Sequence, residues 1–469
     1  RLNYGMDINE GINKSYENPI VGDGQPTGRY GETRFRRDVI NFSQVLDYTK
    51  SFKNVHNFNA TLGHESYQRD FSSNEGLATT QTASGIFEFD NFAIPVRLNG
   101  STTTKRIEGY FARLKYDYDN KYYISGSVRS DGTSVLSADA RWGAFYSIGA
   151  AWRIDQEDFI KNVSFIDRLK LRASYGQVGN DNLGNFFISQ PVYTITSNAG
   201  APALALSNLG NNDLTWETVG SYDVALEFSL FNNFLEGSVE YYKKSSTDLL
   251  YNLPIPLSNG IDTAPFNTGD IFNSGIEVGL TGHLIKNKDF KWDLTVQAST
   301  FKNEITDLPD PFVSGSKRWE EGRSRYDFFI FQSAGVDPDN GDALYFKYED
   351  DENGNRVPIL DAEGTHETTN DWQDAQRAYA DANTIPDILG SISNNFSYKG
   401  FTLDLLFTYG IGGEFLDNGY SAMMHSGSFG DSYHPDALNA WKEPGDITDV
   451  PRLEVGNTEQ VQTQSTRFL

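Results

Sequence analysis

The chain has no cysteine and no run of apolar residues approaching the ~18 or more that a membrane-crossing helix requires. The first absence excludes disulfides and thiolate sites while remaining compatible with passage through a periplasm; the second excludes helical spans. No positively charged, apolar leader opens the sequence. Arg1 instead stands inside a strand-like pattern, so the chain is expected to be mature-cleaved, proteolysed or truncated. Positive charge is scarce: 39 Lys and Arg face 64 Asp and Glu, for a net charge of -25. A nucleic-acid partner needs the opposite balance and is excluded. Neutral, cationic or metal-bridged ligands are favoured at an acidic rim. Histidine is sparse too, and His56, His64, His283, His366, His425 and His434 show no metal-ligand spacing and no Gly-x-Ser-x-Gly elbow beside them.

What is abundant is two-residue alternation. Tyr222, Val224, Leu226, Phe228 and Leu230 are apolar, and Asp223, Ala225, Glu227 and Ser229 between them are small or charged. Phe290 to Ser299, Arg168 to Tyr175 and Phe401 to Tyr409 repeat the rule. Successive strand side chains point to opposite faces, so each segment builds a sheet with one apolar and one polar face. Many are long enough to cross a bilayer as tilted strands, which takes roughly 9–11 residues.

Connections alternate as well. Tight polar turns at Asp119-Asn120, Leu230 to Asn233, Lys286 to Asp289 and Tyr398 to Gly400 follow every second strand. Long polar excursions lie near 72–105, 179–213, 251–270, 306–385 and 412–462. This parity is the layout of an outer-membrane barrel, with periplasmic turns and extracellular loops. Aromatics make up 14% of the residues, which suits interfacial girdles; Tyr116, Tyr118, Tyr122 and Tyr123 sit beside a short turn where one would lie. The pattern predicts an all-β fold: a large antiparallel transmembrane barrel with about 14 or 15 strands present and no separate soluble domain. Asp155 to Val163 is the one short helix expected, with Asp155 as its cap, and Thr466 to Leu469 reads as the start of a further strand.

Charged side chains on a lipid face are costly, so Arg168, Lys170 and Arg172 on one strand and Asp223 and Glu227 on another are expected to face the lumen. Tryptophans 142, 152, 216 and 292 read as girdle or packing residues, since such rings collect at bilayer interfaces. No enzyme chemistry emerges, although an outer-membrane hydrolase assembled from distant loops is a minor alternative. Glu349 to Asn355 loosely resembles a calcium loop, with Asp351 and Asn353 as candidate ligands, but Leu360 stands where the bidentate Glu belongs. A solvated acidic turn is favoured, and no cofactor is expected beyond that structural calcium. Substrate contacts are expected in the outer loops, from Trp319, Tyr326, Trp372 and Tyr379 among Arg318, Glu320, Arg323 and Asp374, and from Tyr420, Tyr433 and Trp441. Aromatic faces beside carboxylates suit sugar rings, and a glycan is preferred over a peptide.

From Glu108 onward an ordered series of motifs is similar to the barrel of SusC/RagA-like TonB-dependent outer-membrane transporters. The series includes Gly109-Tyr110-Phe111-Ala112-Arg113-Leu114, Ser127-Val128-Arg129-Ser130-Asp131-Gly132, Arg141-Trp142-Gly143 and Leu169-Lys170-Leu171-Arg172-Ala173-Ser174-Tyr175-Gly176. It continues through Leu214-Thr215-Trp216-Glu217, Asn273-Ser274-Gly275-Ile276-Glu277 and Thr448-Asp449-Val450-Pro451-Arg452. The resemblance spans about 100–469. It implies a 22-stranded barrel in the complete family, preceded by a plug and a TonB-contacting segment that these residues lack. It also implies active import of oligosaccharides or peptides, a SusD-like surface lipoprotein closing the mouth, outer-membrane lipid around the wall, and a dimer of transporter-lipoprotein pairs. A passive pore or a surface-assembly module is the alternative.

Overall fold

The computed structural model describes residues 1–352, 354–427, 430–454 and 461–469. The chain divides into two units, the first comprising 1–164, 168–226 and 244–268 and the second 165–167, 227–243 and 269–469. In chain order the first unit opens with β1 (Leu2–Glu17), β2 (Arg29–Phe52), β3 (His56–Gln81), β4 (Phe92–Tyr118), β5 (Tyr122–Thr133), β6 (Trp142–Arg153) and β7 (Ile166–Asn180). A small hairpin follows, β8 (Val192–Asn198) with β9 (Ala201–Asn208), and then β10 (Glu217–Leu230), whose residues up to Leu226 complete the order β1 to β7 and β10 in this unit. After β11 (Leu235–Thr247), β12 (Leu250–Pro254) pairs with β13 (Thr263–Asn267).

In the second unit β14 (Asp270–Lys286), β15 (Phe290–Ser299), β26 (Ile388–Tyr398) and β27 (Phe401–Ile411) form the main sheet, with β16 (Lys302–Asp307) paired to β14. Between β16 and β26 the chain builds small sheets from β17 (Phe312–Ser314), β18 (Lys317–Trp319), β19 (Asp327–Ile330), β20 (Ser333–Val336), β21 (Ala343–Phe346), β22 (Tyr348–Asp350), β23 (Arg356–Pro358), β24 (Thr368–Thr369) and β25 (Ala378–Asn383).

Cross-strand register turns the alternation into rows. One face of the first unit carries, nearest the turns, Phe52, His56, Tyr118, Tyr122, Trp152 and Leu171, each paired with the next. Above it run Lys50, Phe58, Tyr116, Ile124, Ala150 and Ala173, and then Tyr48, Ala60, Leu114, Gly126, Ile148 and Tyr175. Ile124, Leu114 and Ile148 are half exposed on this face, as expected of apolar side chains on the outside of a membrane barrel. The first row is an aromatic belt beside the short connections, where amphipathic rings collect. The second unit repeats the scheme: Ile285, Trp292, Phe396 and Leu403 are register partners, as are Leu280, Val296, Ile392 and Phe407. Gly63 has a specific task here, because a Cβ at that position would enter the ring of its partner Phe111.

Several sequence expectations change. The excursion near 72–105 is not a loop: β3 and β4 stay paired through it, from Ser72 opposite Thr102 to Gln81 opposite Phe92. The β3 part, Ser72 to Gln81, is largely polar, whereas Phe92, Ile94, Val96 and Leu98 of β4 keep the two-residue alternation that marks a strand. The stretches near 179–213 and 251–270 contain the β8–β9 and β12–β13 hairpins, and 306–385 folds into the small sheets. The helix expected over Asp155 to Val163 is only a 3-10 turn at Ile154–Gln156, because the Asp155 carboxylate binds Arg153, Gln156 and the Leu169 N–H instead of capping. Thr466–Phe468 is likewise a 3-10 turn and not a strand.

Candidate functional site

The opposite face of the first sheet is a hydrogen-bonded polar wall. Its rows are Thr49, Asn59, Lys115, Ser125, Gly149 and Ser174, and beside them Asp47, Thr61, Arg113, Ser127, Ser147 and Gly176. Asn59 donates to Thr49 at 2.9 Å, Thr61 to Asp47 at 2.7 Å, and Ser127 and Ser147 meet at 2.7 Å. Of the charges predicted to face inward, Arg172 pairs with Asp223 at 3.3 Å, and Ser174 donates to the same carboxylate at 2.8 Å. Lys170 is the register partner of Arg153. Arg168 is exposed near the start of β7, and Glu227, half-buried, follows Asp223 along β10 and belongs to the second unit.

The turn end of this wall is held by carboxylates. Burial raises the Asp155 carboxyl, but hydrogen bonds from Arg153, Gln156 and the Leu169 backbone overcome it and leave a pKa of about 2. Glu157 receives Lys121, Tyr122 and Trp152, and its pKa also falls to about 2.

At the far end of the same unit lies a group that sequence reasoning missed. Lys105 on β4 reaches Asp181 at 2.8 Å, Thr133 donates to that carboxylate at 2.6 Å, and both Lys105 and Arg69 lie over the ring of Phe186. Val135, Leu136, Ile188, Leu214 and Leu250 bury an apolar cluster beneath these connections. Seventy-six residues separate Lys105 from Asp181, so no local signal marks the pair.

The second unit holds the aromatic residues predicted to meet substrate, and most of them pack against or hydrogen-bond to neighbouring residues. Trp319 is buried against Phe312, with Arg325 4.7 Å over its ring. The Tyr326 carbonyl accepts from Lys317 at 2.6 Å. Trp372 packs edge-on to Phe331, and the Trp441 indole donates to the Pro338 carbonyl at 3.1 Å while its ring covers Gly341. Tyr420 packs in the cluster of Met424, Ala437, Val450 and Phe468 and donates to Asp436 at 3.0 Å. Tyr379 donates to Glu320 at 2.7 Å, packs on Phe329 and has the Arg323 guanidinium 4.2 Å above its ring. Burial first, then Glu320, raises its hydroxyl pKa far above the ordinary value. Tyr433, its ring centre 4.2 Å from that of His425 and tilted against it, is exposed. Arg318 reaches Glu320 at 3.4 Å.

Asp351 closes the β22–β23 hairpin by accepting the Asn355 N–H at 2.8 Å, and Asn353 lies outside the described residues. Among the described residues no group of three His, Asp or Glu side chains comes together as a metal site would require. No described helix is long and apolar enough to cross a membrane.

Comparison with known proteins agrees with the two-faced strands. The family described as TonB dependent receptor-like, beta-barrel, matches residues 1–412. TonB-dependent receptor P39 of Formosa agariphila is 30% identical over 454 residues, covering 87% of this chain and 43% of that protein. TonB-dependent receptor SusC of Bacteroides thetaiotaomicron is 25% identical, over 85% of this chain and 40% of its own length. The structure of the RagAB peptide transporter superimposes with a TM-score of 0.85 at 26% identity, over 100% of this chain and 51% of that one. The chain therefore spans about half the length of the relatives it matches. It belongs to the TonB dependent receptor-like β-barrel family, an outer-membrane family whose relatives here are receptors and transporters, not enzymes.

Proposed function

We propose that this member of the TonB dependent receptor-like β-barrel family forms the wall and outer loops of an active importer of oligomeric nutrients. The observation that carries the reading is the wall itself, apolar with an aromatic belt on one face and lined with bonded hydroxyls, amides and ion pairs on the other. Such a wall separates lipid from a polar interior. Energy would come through TonB, acting on the part of the family's architecture that lies ahead of the barrel. A SusD-like surface lipoprotein would close the mouth, and two such pairs would assemble together. SusC and RagAB, among this chain's relatives, support that partnership.

A glycan is the proposed cargo, on the strength of polar and aromatic side chains sharing the outer loops. Peptide is the second reading, because RagAB, whose structure superimposes on this chain, is a peptide transporter. Uptake of labelled oligomers by cells expressing the complete protein tests the proposal. Loss of uptake on deleting either TonB or the neighbouring lipoprotein is expected. Uptake that persists without TonB and runs only down a gradient would replace the importer with a passive pore.

A further inference from the structure

The outer part of the second unit concentrates cations on aromatic rings. Arg323 lies 4.2 Å from the Tyr379 ring centre, Arg325 4.7 Å from Trp319 and 5.4 Å from Tyr326, and Lys317 3.1 Å from Phe328. Arg318 and Arg356 both lie over Phe329, and Arg377 over Phe331. Arg318 has Glu320 at 3.4 Å and Arg356 has Asp350 at 3.4 Å. Lys317, Arg323, Arg325 and Arg377 have no carboxylate at ion-pair distance among the described residues; Lys317 and Arg377 donate instead to the carbonyls of Tyr326 and Gly315.

In a chain of net charge -25 carboxylates are plentiful, so cations left beside rings are not short of partners for want of acid. A guanidinium held over a ring face by cation–π attraction still has an N–H edge to offer to a further partner. That edge fits a carboxylate or sulfate in a bidentate contact. Screening at physiological salt acts over about 8 Å, so carboxylates farther away on the chain act only weakly on this surface, and Glu320, the near one, is engaged by the Tyr379 hydroxyl. Arg323 is exposed and Tyr379 beneath it half-buried, so the pair faces solvent.

We infer that the Arg323–Tyr379 pair, with Arg325 on Trp319 beside it, is a binding surface for an anionic glycan, one carrying carboxylate or sulfate groups. The inference rests on the glycan reading above and narrows it to an acidic sugar chain. It reverses the preference for neutral or cationic ligands that net charge alone suggests.

The test uses the complete protein with its surface lipoprotein, titrated with oligogalacturonate, with a neutral malto-oligosaccharide and with oligoglutamate. Oligogalacturonate should bind in a salt-dependent way, and Arg323→Ala should weaken it about 10-fold, the loss of one charge-assisted contact. Arg323→Lys should recover only part, because an ammonium cannot offer the planar fork. Equal thermal midpoints for the variants and the parent exclude a folding defect, and Arg325→Ala provides a second, independent loss. Binding of the neutral sugar alone would overturn the anionic inference and leave the glycan reading standing. Binding of oligoglutamate alone would overturn both. Binding of oligogalacturonate unchanged by Arg323→Ala and Arg325→Ala would remove the surface from the site.

Discussion

Cations are treated differently in the wall of the first unit and in the outer sheets of the second. In the wall arginines meet carboxylates: Arg1 with Asp47 at 2.6 Å, Arg129 with Asp131 at 2.7 Å and Glu65 at 2.8 Å, and Arg153 with Asp155 at 2.6 Å. In the outer sheets Arg323, Arg325 and Arg377 meet rings. On the polar face of the wall these guanidinium and carboxylate groups lie side by side, across strands or two residues apart in sequence, where each pair forms a charge-assisted hydrogen bond. The small sheets hold ion pairs too, Arg318 with Glu320 and Arg356 with Asp350, but Arg323, Arg325 and Arg377 lie over rings with no carboxylate at ion-pair distance among the described residues.

One test breaks the wall. Ile124, half exposed on the apolar face, and Ser125, next to it on the polar face, differ only in direction. Ile124→Arg should destabilise the complete protein in lipid by roughly 1–2 kcal/mol, between the ~2–4 kcal/mol of a cation at mid-membrane and the ~0–1 kcal/mol at the interface, because Ile124 lies one row above the aromatic belt. Ser125→Arg should cost far less. Equilibrium unfolding in vesicles measures both, and equal losses would contradict the assignment of the faces.

Next comes the outer part. Phe329 is 2% exposed and receives Arg318, Arg356 and Tyr379. Phe329→Ala should cost roughly 3–5 kcal/mol of local stability. Limited proteolysis should then open 306–385 while the wall strands stay protected. Simultaneous cleavage of the wall would show that the outer sheets are not locally stabilised.

A smaller effect concerns the pair Arg172 and Asp223, both partly exposed on the polar face. A double-mutant cycle to alanine should return a coupling below about 1 kcal/mol, since water screens such pairs. A much larger coupling would mean that this part of the wall is dry.

How much of this is legible in the sequence follows the same division. The wall strands and the turns at Asp119-Asn120 and Tyr398 to Gly400 can be read because pleating forces side chains to alternate and lipid forces one face to be apolar. Arg172 and Asp223 belong on the polar face for that reason, and their mutual contact is a consequence. Nothing comparable constrains the outer sheets. Strands of two to four residues such as Thr368–Thr369 carry no period, and the meeting of Tyr379 with Glu320 spans 59 residues. Aromatic rings in that region read as open sugar platforms in the sequence, whereas Trp319 is buried and Trp372 packs against a buried cluster.

The smallest effect is a difference in response to acid. Asp155 and Glu157 have pKa values lowered from 3.8 and 4.5 to about 2 by their partners at the turn end of the wall. A carboxyl depressed in the fold contributes stability that is fully present above its unfolded pKa and is lost as pH falls through the folded one. The turn over 154–163 should therefore begin to weaken below about pH 4.5 and release Glu157 only near pH 2. Trp152 donates to Glu157 at 2.9 Å and reports that release through its emission, with a midpoint near 2. Glu157→Gln should abolish the transition. A Trp152 midpoint near 4.5 would show that Lys121 and Tyr122 do not hold Glu157 in solution, and the contrast between an ion-paired wall and a ring-stacked outer surface would lose its wall half.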